Sequence, residues 1–160
     1  MPYKLLQVEG ARSEVLMEDS CQKEVDVSES FKVSTVLPAS AERIYEAWLN
    51  SNEHAAFIGS SAEIDAAVGG RFSMWDGYIE GVNEQLESNH RIVQSWRTTE
   101  FPPDSPDSRL EIVLEEVEAG TRLTLYHTEL PEGQGKQYRE GWEEHYFERM
   151  REYFSQGQQP

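Results

Sequence analysis

The sequence predicts an α+β domain in which a curved antiparallel sheet of six or seven strands wraps around one long C-terminal helix. Three observations predict it. Segments of strand period, separated by hairpin signals, fill the stretch from Ser60 to Leu130. A helix-period segment follows from Gln134 to Phe154, and two short helices interrupt the order directly after a first strand. A chain of 160 residues buries roughly two-thirds of its unfolded surface, and four Trp, seven Tyr and six Phe supply one such core.

Residues 1–28 read as an acidic extension. Leu5, Leu6 and Val8, then Val15, Leu16 and Met17, are isolated apolar patches without a sustained period, so the stretch either adds a strand or stays mobile. The domain proper is expected over 29–155, with a disordered tail at 156–160. Val25, Val27, Phe31, Val33 and Thr35 alternate with polar residues into the first strand. Pro38 ends it and Ser40 is the expected N-cap of a helix bearing Ala41, Ile44, Tyr45, Trp48 and Leu49 on one face. Asn50-Ser51-Asn52 breaks that helix, and a second one carries Ala55, Ala56 and Phe57 up to Gly59.

The strands come next. Gly69-Gly70 marks a turn or bulge before Phe72, Met74 and Trp75, and Asp76-Gly77 signals a hairpin because both residues tolerate the positive φ of a type I′ turn. Tyr78, Ile79 and Val82 return, Ser88-Asn89-His90 turns again, and Ile92, Val93 and Trp96 follow. A loop marked by Pro102, Pro103 and Pro106 leads to Leu110, Ile112 and Leu114, which are expected to pair with Leu123, Leu125 and His127 across Ala119-Gly120. On the last helix, Tyr138, Trp142, Tyr146, Met150 and Tyr153 fall in a stripe about 120° wide at 100° per residue, with Phe147 and Phe154 widening it.

Charge narrows the partners. Thirty acidic against fourteen basic side chains give a formal net charge of −16, which repels phosphate backbones and anionic headgroups, and no basic stripe offsets it. Nucleic acid and membrane are therefore not expected partners. No apolar run reaches the ~20 residues of a membrane span. No secretory signal is evident after Met1, and the lone Cys21 cannot close an intrachain disulfide. A cytoplasmic location is the expectation, with a monomer favoured.

The order of strand, two short helices, meander and long helix is that of the helix-grip fold. Gly69-Gly70-Arg71-Phe72-Ser73-Met74, Asp76-Gly77, Glu80-Gly81, Arg91-Ile92-Val93-Gln94-Ser95-Trp96-Arg97, Leu130-Pro131 and Gly141-Trp142-Glu143-Glu144-His145-Tyr146-Phe147 sharpen the match. Together they resemble the C-terminal domain of the activator of heat-shock protein 90 ATPase, within the START-like (SRPBCC) superfamily, over roughly residues 30–155. The resemblance implies a co-chaperone-like, stress-related role. In the eukaryotic co-chaperone a preceding domain makes a major chaperone contact, which the extension here is too short to supply. Neighbouring branches of the superfamily hold lipids, sterols or polyketides between sheet and helix, and a few are cyclases.

No residue pattern indicates catalysis. Cys21 lies outside the matched region, Gly-x-Ser-x-Gly is missing, Glu143-Glu144 read as solvated surface, and Gly133-x-Gly135 lacks the context of a phosphate loop. His54 and His90 read as solvated. His127 should face the long helix, and His145 lies about 60° from Trp142 at the stripe's edge. No short-spaced ligand cluster makes these a metal site, so no metal or cofactor is expected. Arg149 falls about 20° from Trp142, inside the stripe, where its charge must either pair with a sheet carboxylate or anchor a ligand. The aromatic residues read equally as packed core or as cavity wall. The candidate cavity lining is Trp48, Phe57, Phe72, Met74, Trp96, His127, Trp142, Tyr146, Arg149 and Met150. The functional expectation is a non-enzymatic binding domain whose partner is a heat-shock-90-type chaperone or a small apolar ligand. A cyclase or hydrolase is the remaining alternative.

Overall fold

Alternation builds the first strand and caps build the helices after it. The computed structural model describes residues 28–156, so the readings made for residues 1–27 and 157–160 lie outside the described residues. β1 (Ser28–Leu37) turns Phe31, Val33, Thr35 and Leu37 toward the core, every second residue as a half-buried strand requires. Ser40 caps α1 (Ala41–Leu49), its Oγ accepting from Arg43 N–H at 3.1 Å. Asn50 ends that helix and caps α2 (Ser51–Ile58), its Oδ1 accepting from Glu53 N–H at 2.9 Å. Gly59, at φ 70°, closes α2 in the left-handed conformation.

Six further strands follow: β2 (Ala62–Ile64), β3 (Arg71–Met74), β4 (Ile79–Glu87), β5 (Arg91–Thr98), β6 (Ser108–Val117) and β7 (Gly120–Pro131). All neighbours are antiparallel, in the order β1-β7-β6-β5-β4-β3-β2. β2 to β7 form a meander and β1 closes on its last strand. Asp76 (φ 55°) and Gly77 (φ 92°) make the expected left-handed pair of the β3–β4 turn, and Tyr78 N–H returns to Trp75 C=O at 3.1 Å. Leu110, Ile112 and Leu114 face His127, Leu125 and Leu123 in register.

The inward side chains of β5, β6 and β7 form the concave face of the sheet. Leu110, Ile112, Leu114, Leu123 and Leu125 are each at most 3% exposed there. In β7 alternation slips at Glu129 (φ 63°), beside a register shift in the β1–β7 pairing, and Leu130 is buried in consequence.

The C-terminal helix lies in that concavity as α3 (Gly135–Gly141), a π-helical turn (Trp142–Phe147) and α4 (Glu148–Gln156). β1 anchors its start: the Glu29 carboxylate accepts from Gly133 N–H at 2.7 Å and Gly135 N–H at 2.8 Å, and these two bonds lower its pKa. The buried stripe is Tyr138, Trp142, Tyr146, Phe147, Met150 and Phe154. The π-turn, whose bonds run i→i+5, takes one residue more per turn than an α-helix and re-phases everything after it. Arg149, placed in the stripe by a uniform 100° count, is therefore exposed, with its Nη1 3.2 Å from where a Cβ on Gly59 would stand. It sits outside the core at the C-terminal end of α2, where a cation complements the helix dipole. Among the described residues Arg149 pairs with no sheet carboxylate, and it does not line the space between sheet and helix, so neither the expected pair nor the expected ligand anchor is found there.

Candidate functional site

A cavity of about 430 Å³ opens between the first half of the C-terminal helix and the β3–β5 end of the sheet. Its deep wall is Trp96 from β5, Ile79 from β4, and Trp142 and Tyr146 from the π-turn, each at most 5% exposed. Tyr138 continues the wall from α3. Trp75 and Tyr78, both half-buried, lean in from the β3–β4 turn, and Gln137, Glu140, Glu144 and His145 form the exposed helical rim. The rings run in an unbroken chain. Trp75 to Tyr146 is 5.9 Å between centroids, Tyr146 to Trp142 4.6 Å, Trp142 to Trp96 5.9 Å, and Trp96 to Tyr138 5.0 Å. Trp75 holds φ 52°, a conformation that a bulky side chain rarely adopts.

Two buried histidines lock this wall to the scaffold. Trp142 Nε1–H donates to His127 Nδ1 at 3.1 Å, and an indole N–H can only donate, so Nδ1 carries no proton. The neutral ring then keeps its proton on Nε2 and donates to Ser108 Oγ at 2.9 Å, and Ser108 in turn donates to Trp96 C=O at 2.7 Å. Burial holds His127 down to about 3. Protonating Nδ1 would also set two N–H groups against each other.

His54 makes the second lock. Its Nδ1–H donates to the free carbonyl of Trp48 at the end of α1, at 2.7 Å, and its Nε2 accepts from Tyr146 Oη–H at 2.8 Å. Burial brings His54 down to about 4, against the opposing bond to Trp48, and drives the Tyr146 phenol far up. The expectation that His54 is solvated is thus corrected, since it is 0% exposed. The buried face of α2 is His54, Phe57 and Ile58, an i, i+3, i+4 triad, rather than Ala55, Ala56 and Phe57.

Of the residues expected to line a cavity, Trp96, Trp142 and Tyr146 wall it. Trp48, Phe57, Phe72, Met74, His127 and Met150 are buried behind it, each at most 3% exposed, and Arg149 is outside. Trp48 stacks on Trp142 at 6.3 Å, and its Nε1 has no hydrogen-bond partner among the described residues. His90 is exposed, and His145 is exposed on the rim beside Trp75. Sequence reasoning missed Ile79, Tyr138, Trp75 and Tyr78 as wall residues. The hairpin signal at Asp76-Gly77 places Trp75 and Tyr78 at the turn's two ends, which was the available clue.

Ser108 beside His127 has the residue types of a nucleophile and base but the wrong polarity. The histidine donates to the serine, the serine proton is committed to Trp96 C=O, and both side chains are buried. No group of three His, Cys, Asp or Glu converges on a metal-binding point among the described residues. What the arrangement offers is a rigid, aromatic recess with a polar mouth.

Fold and recess together define a helix-grip domain with an opening between its sheet and its long helix. The family described as activator of Hsp90 ATPase homolog 1-like protein matches residues 38–155, and the chain belongs to that family. An activator of 90 kDa heat shock protein ATPase homolog from Dictyostelium discoideum is 26% identical over 129 residues, 80% of this chain and 33% of the relative. The homolog 1 protein of Homo sapiens is 26% identical over 118 residues, 74% of this chain and 35% of the relative. The chain thus spans about a third of the length of these relatives. The crystal structure of an HSP90 activator from Plasmodium falciparum superposes with a TM-score of 0.72 at 23% identity, covering 79% of this chain and 96% of that one, a likeness of fold.

Proposed function

We propose that this chain is a non-enzymatic binding domain of its family, and that its binding element is the aromatic recess, which takes a small ligand with an apolar body. One observation carries the reading: a space of about 430 Å³ lined by Trp, Tyr and Ile persists beside side chains that are otherwise closely packed. That size lies within the ~300–1,000 Å³ of small-molecule sites. The locked, neutral histidines behind the wall support a positioning role rather than a proton-transfer one.

Gly141 gives the test. It lines the recess on the helix with φ −63°, and a Cβ there would meet only His145 Cδ2, at 3.8 Å. Gly141→Leu should therefore fill the recess without strain. It should also stabilise the helix by about 0.5–1 kcal/mol, the usual penalty of a helical glycine. Wild-type protein is expected to bind the neutral fluorophore N-phenyl-1-naphthylamine, and Gly141→Leu to lose that binding while melting at a higher temperature. Unchanged binding by the variant would place the ligand elsewhere; no binding by either would remove the recess as a site.

A second reading is favoured by the relatives' names: association with a 90 kDa heat-shock chaperone. With a formal net charge of −16, the contact requires a basic face on the partner and should weaken as salt rises. Titration of labelled domain against the chaperone at 50 mM and 500 mM salt should show weak binding that is largely lost at the higher value. Tight binding indifferent to salt would contradict a charge-led contact, and no binding at either salt would leave the recess as the sole binding element.

A further inference from the structure

We infer that the recess selects organic cations, an ammonium group carried on an apolar or aromatic body. The inference rests on the reading of the recess as a binding site and adds the chemistry of its ligand. Six aromatic side chains face the space, and none of its lining residues is Lys or Arg.

Four of the six rings have their polar atoms already committed, which leaves the indole N–H groups of Trp75 and Trp96. Trp142 Nε1–H is spent on His127, Tyr146 Oη–H on His54, and Tyr78 Oη–H on the Glu100 carboxylate. Tyr138 Oη is held between Thr98 Oγ1 at 2.7 Å and Gln134 Oε1 at 2.8 Å. An anion entering the recess would find few donors. A cation would find ring faces, whose quadrupole attracts positive charge, with Trp the strongest of the three ring types.

The mouth adds charge of the matching sign. Glu140 and Glu144 stand one helical turn apart on the rim, both exposed. Glu140 has only a loose pair with Lys136, at 3.7 Å, and Glu144 has no ion-pair partner among the described residues. His145 is the one lining residue able to carry a positive charge, and it is turned against Trp75 at 6.3 Å. Trp75 itself is held at φ 52° above the opening, so an aromatic face is kept at the mouth at the expense of backbone strain.

The test uses three probes with the same number of heavy atoms: benzyltrimethylammonium, its neutral carbon isostere neopentylbenzene, and the anion 3-phenylpropionate, each followed by quenching of tryptophan fluorescence. The cation should bind about tenfold more tightly than the isostere at low salt, the anion should bind most weakly, and the cation's advantage should shrink in high salt. Glu140→Gln with Glu144→Gln should weaken the cation roughly two- to fivefold and leave the isostere unchanged. Trp75→Gly, which tolerates the positive φ, should weaken the cation without unfolding the domain. Equal or tighter binding of the isostere or the anion would overturn the cation preference while the recess remained a site. Failure of all three probes would overturn both.

Discussion

Trp142→Ala should be the most destabilising single substitution in this domain, lowering stability by roughly 5 kcal/mol. The indole is 3% exposed, lies between Trp96, Trp48 and Tyr146, and fixes the tautomer of His127. Truncating a buried Trp to Ala removes about 3–5 kcal/mol of packing. Loss of the indole N–H also leaves His127 Nδ1 a buried acceptor without a donor, which costs about 1–3 kcal/mol more. Against a total stability of about 5–15 kcal/mol, that removes roughly a third or more of it.

Trp142→Phe separates the two contributions, since it keeps most of the ring volume and deletes the donor. It should cost about 1–3 kcal/mol through the orphaned nitrogen, plus a smaller packing loss. Urea denaturation of both variants measures this. A loss below about 1 kcal/mol for Trp142→Ala would mean that the indole does not sit in the sheet-facing layer at all.

The strands were legible because their signals are local. Leu110, Ile112 and Leu114 alternate, Leu123, Leu125 and His127 alternate, and a two-residue loop between Val117 and Gly120 leaves one register that buries both sets. Ser40 and Asp76-Gly77 were legible for the same reason: a cap and a type I′ turn each need only a few neighbouring residues. The π-turn is different, since Trp142–Phe147 has no composition that marks it. Its trace is in spacing. Tyr138, Trp142, Tyr146, Met150 and Phe154 recur every fourth residue, which on a uniform α-helix drifts about 40° per step and about 160° over the set. All five are nevertheless buried, and only a locally under-wound helix keeps them on one side.

The candidate site was legible in its residue types and not in its boundary. Trp96, Trp142 and Tyr146 reach the space while Trp48 and Phe57 stop behind it. The division depends on how α2 and the β3–β4 turn seat against the helix, and no periodicity encodes that. His54 shows the same limit. Its i, i+3, i+4 relation to Phe57 and Ile58 was readable, but its partners, Trp48 C=O and Tyr146 Oη, come from a helix end and a residue ninety-two positions away.

Acid should unfold this domain steeply between pH 6 and pH 5, before most carboxylates titrate. His54 and His127 are held neutral in the fold at about 4 and about 3, against an ordinary value of 6.5. Their folded values are depressed, so below pH 6.5 the unfolded chain binds protons that the native chain does not. The stability from keeping them neutral is complete above pH 6.5 and is lost as pH falls toward 4 and then 3. With two such groups the difference approaches two protons near pH 5.5, a slope of about 2–3 kcal/mol per pH unit. Glu29, Glu100 and Glu111 have lowered values, so the stability their ionisation provides is lost only at lower pH and does not fall in this window. Urea midpoints at pH 6.5, 6.0, 5.5 and 5.0 give the slope directly. His54→Gln retains a donor and an acceptor on an uncharged side chain, and should reduce the slope by about one proton, to roughly half. A profile flat from pH 6 to pH 5 would show that neither imidazole is sealed from water, and the two hydrogen-bond locks behind the aromatic wall would have to be abandoned.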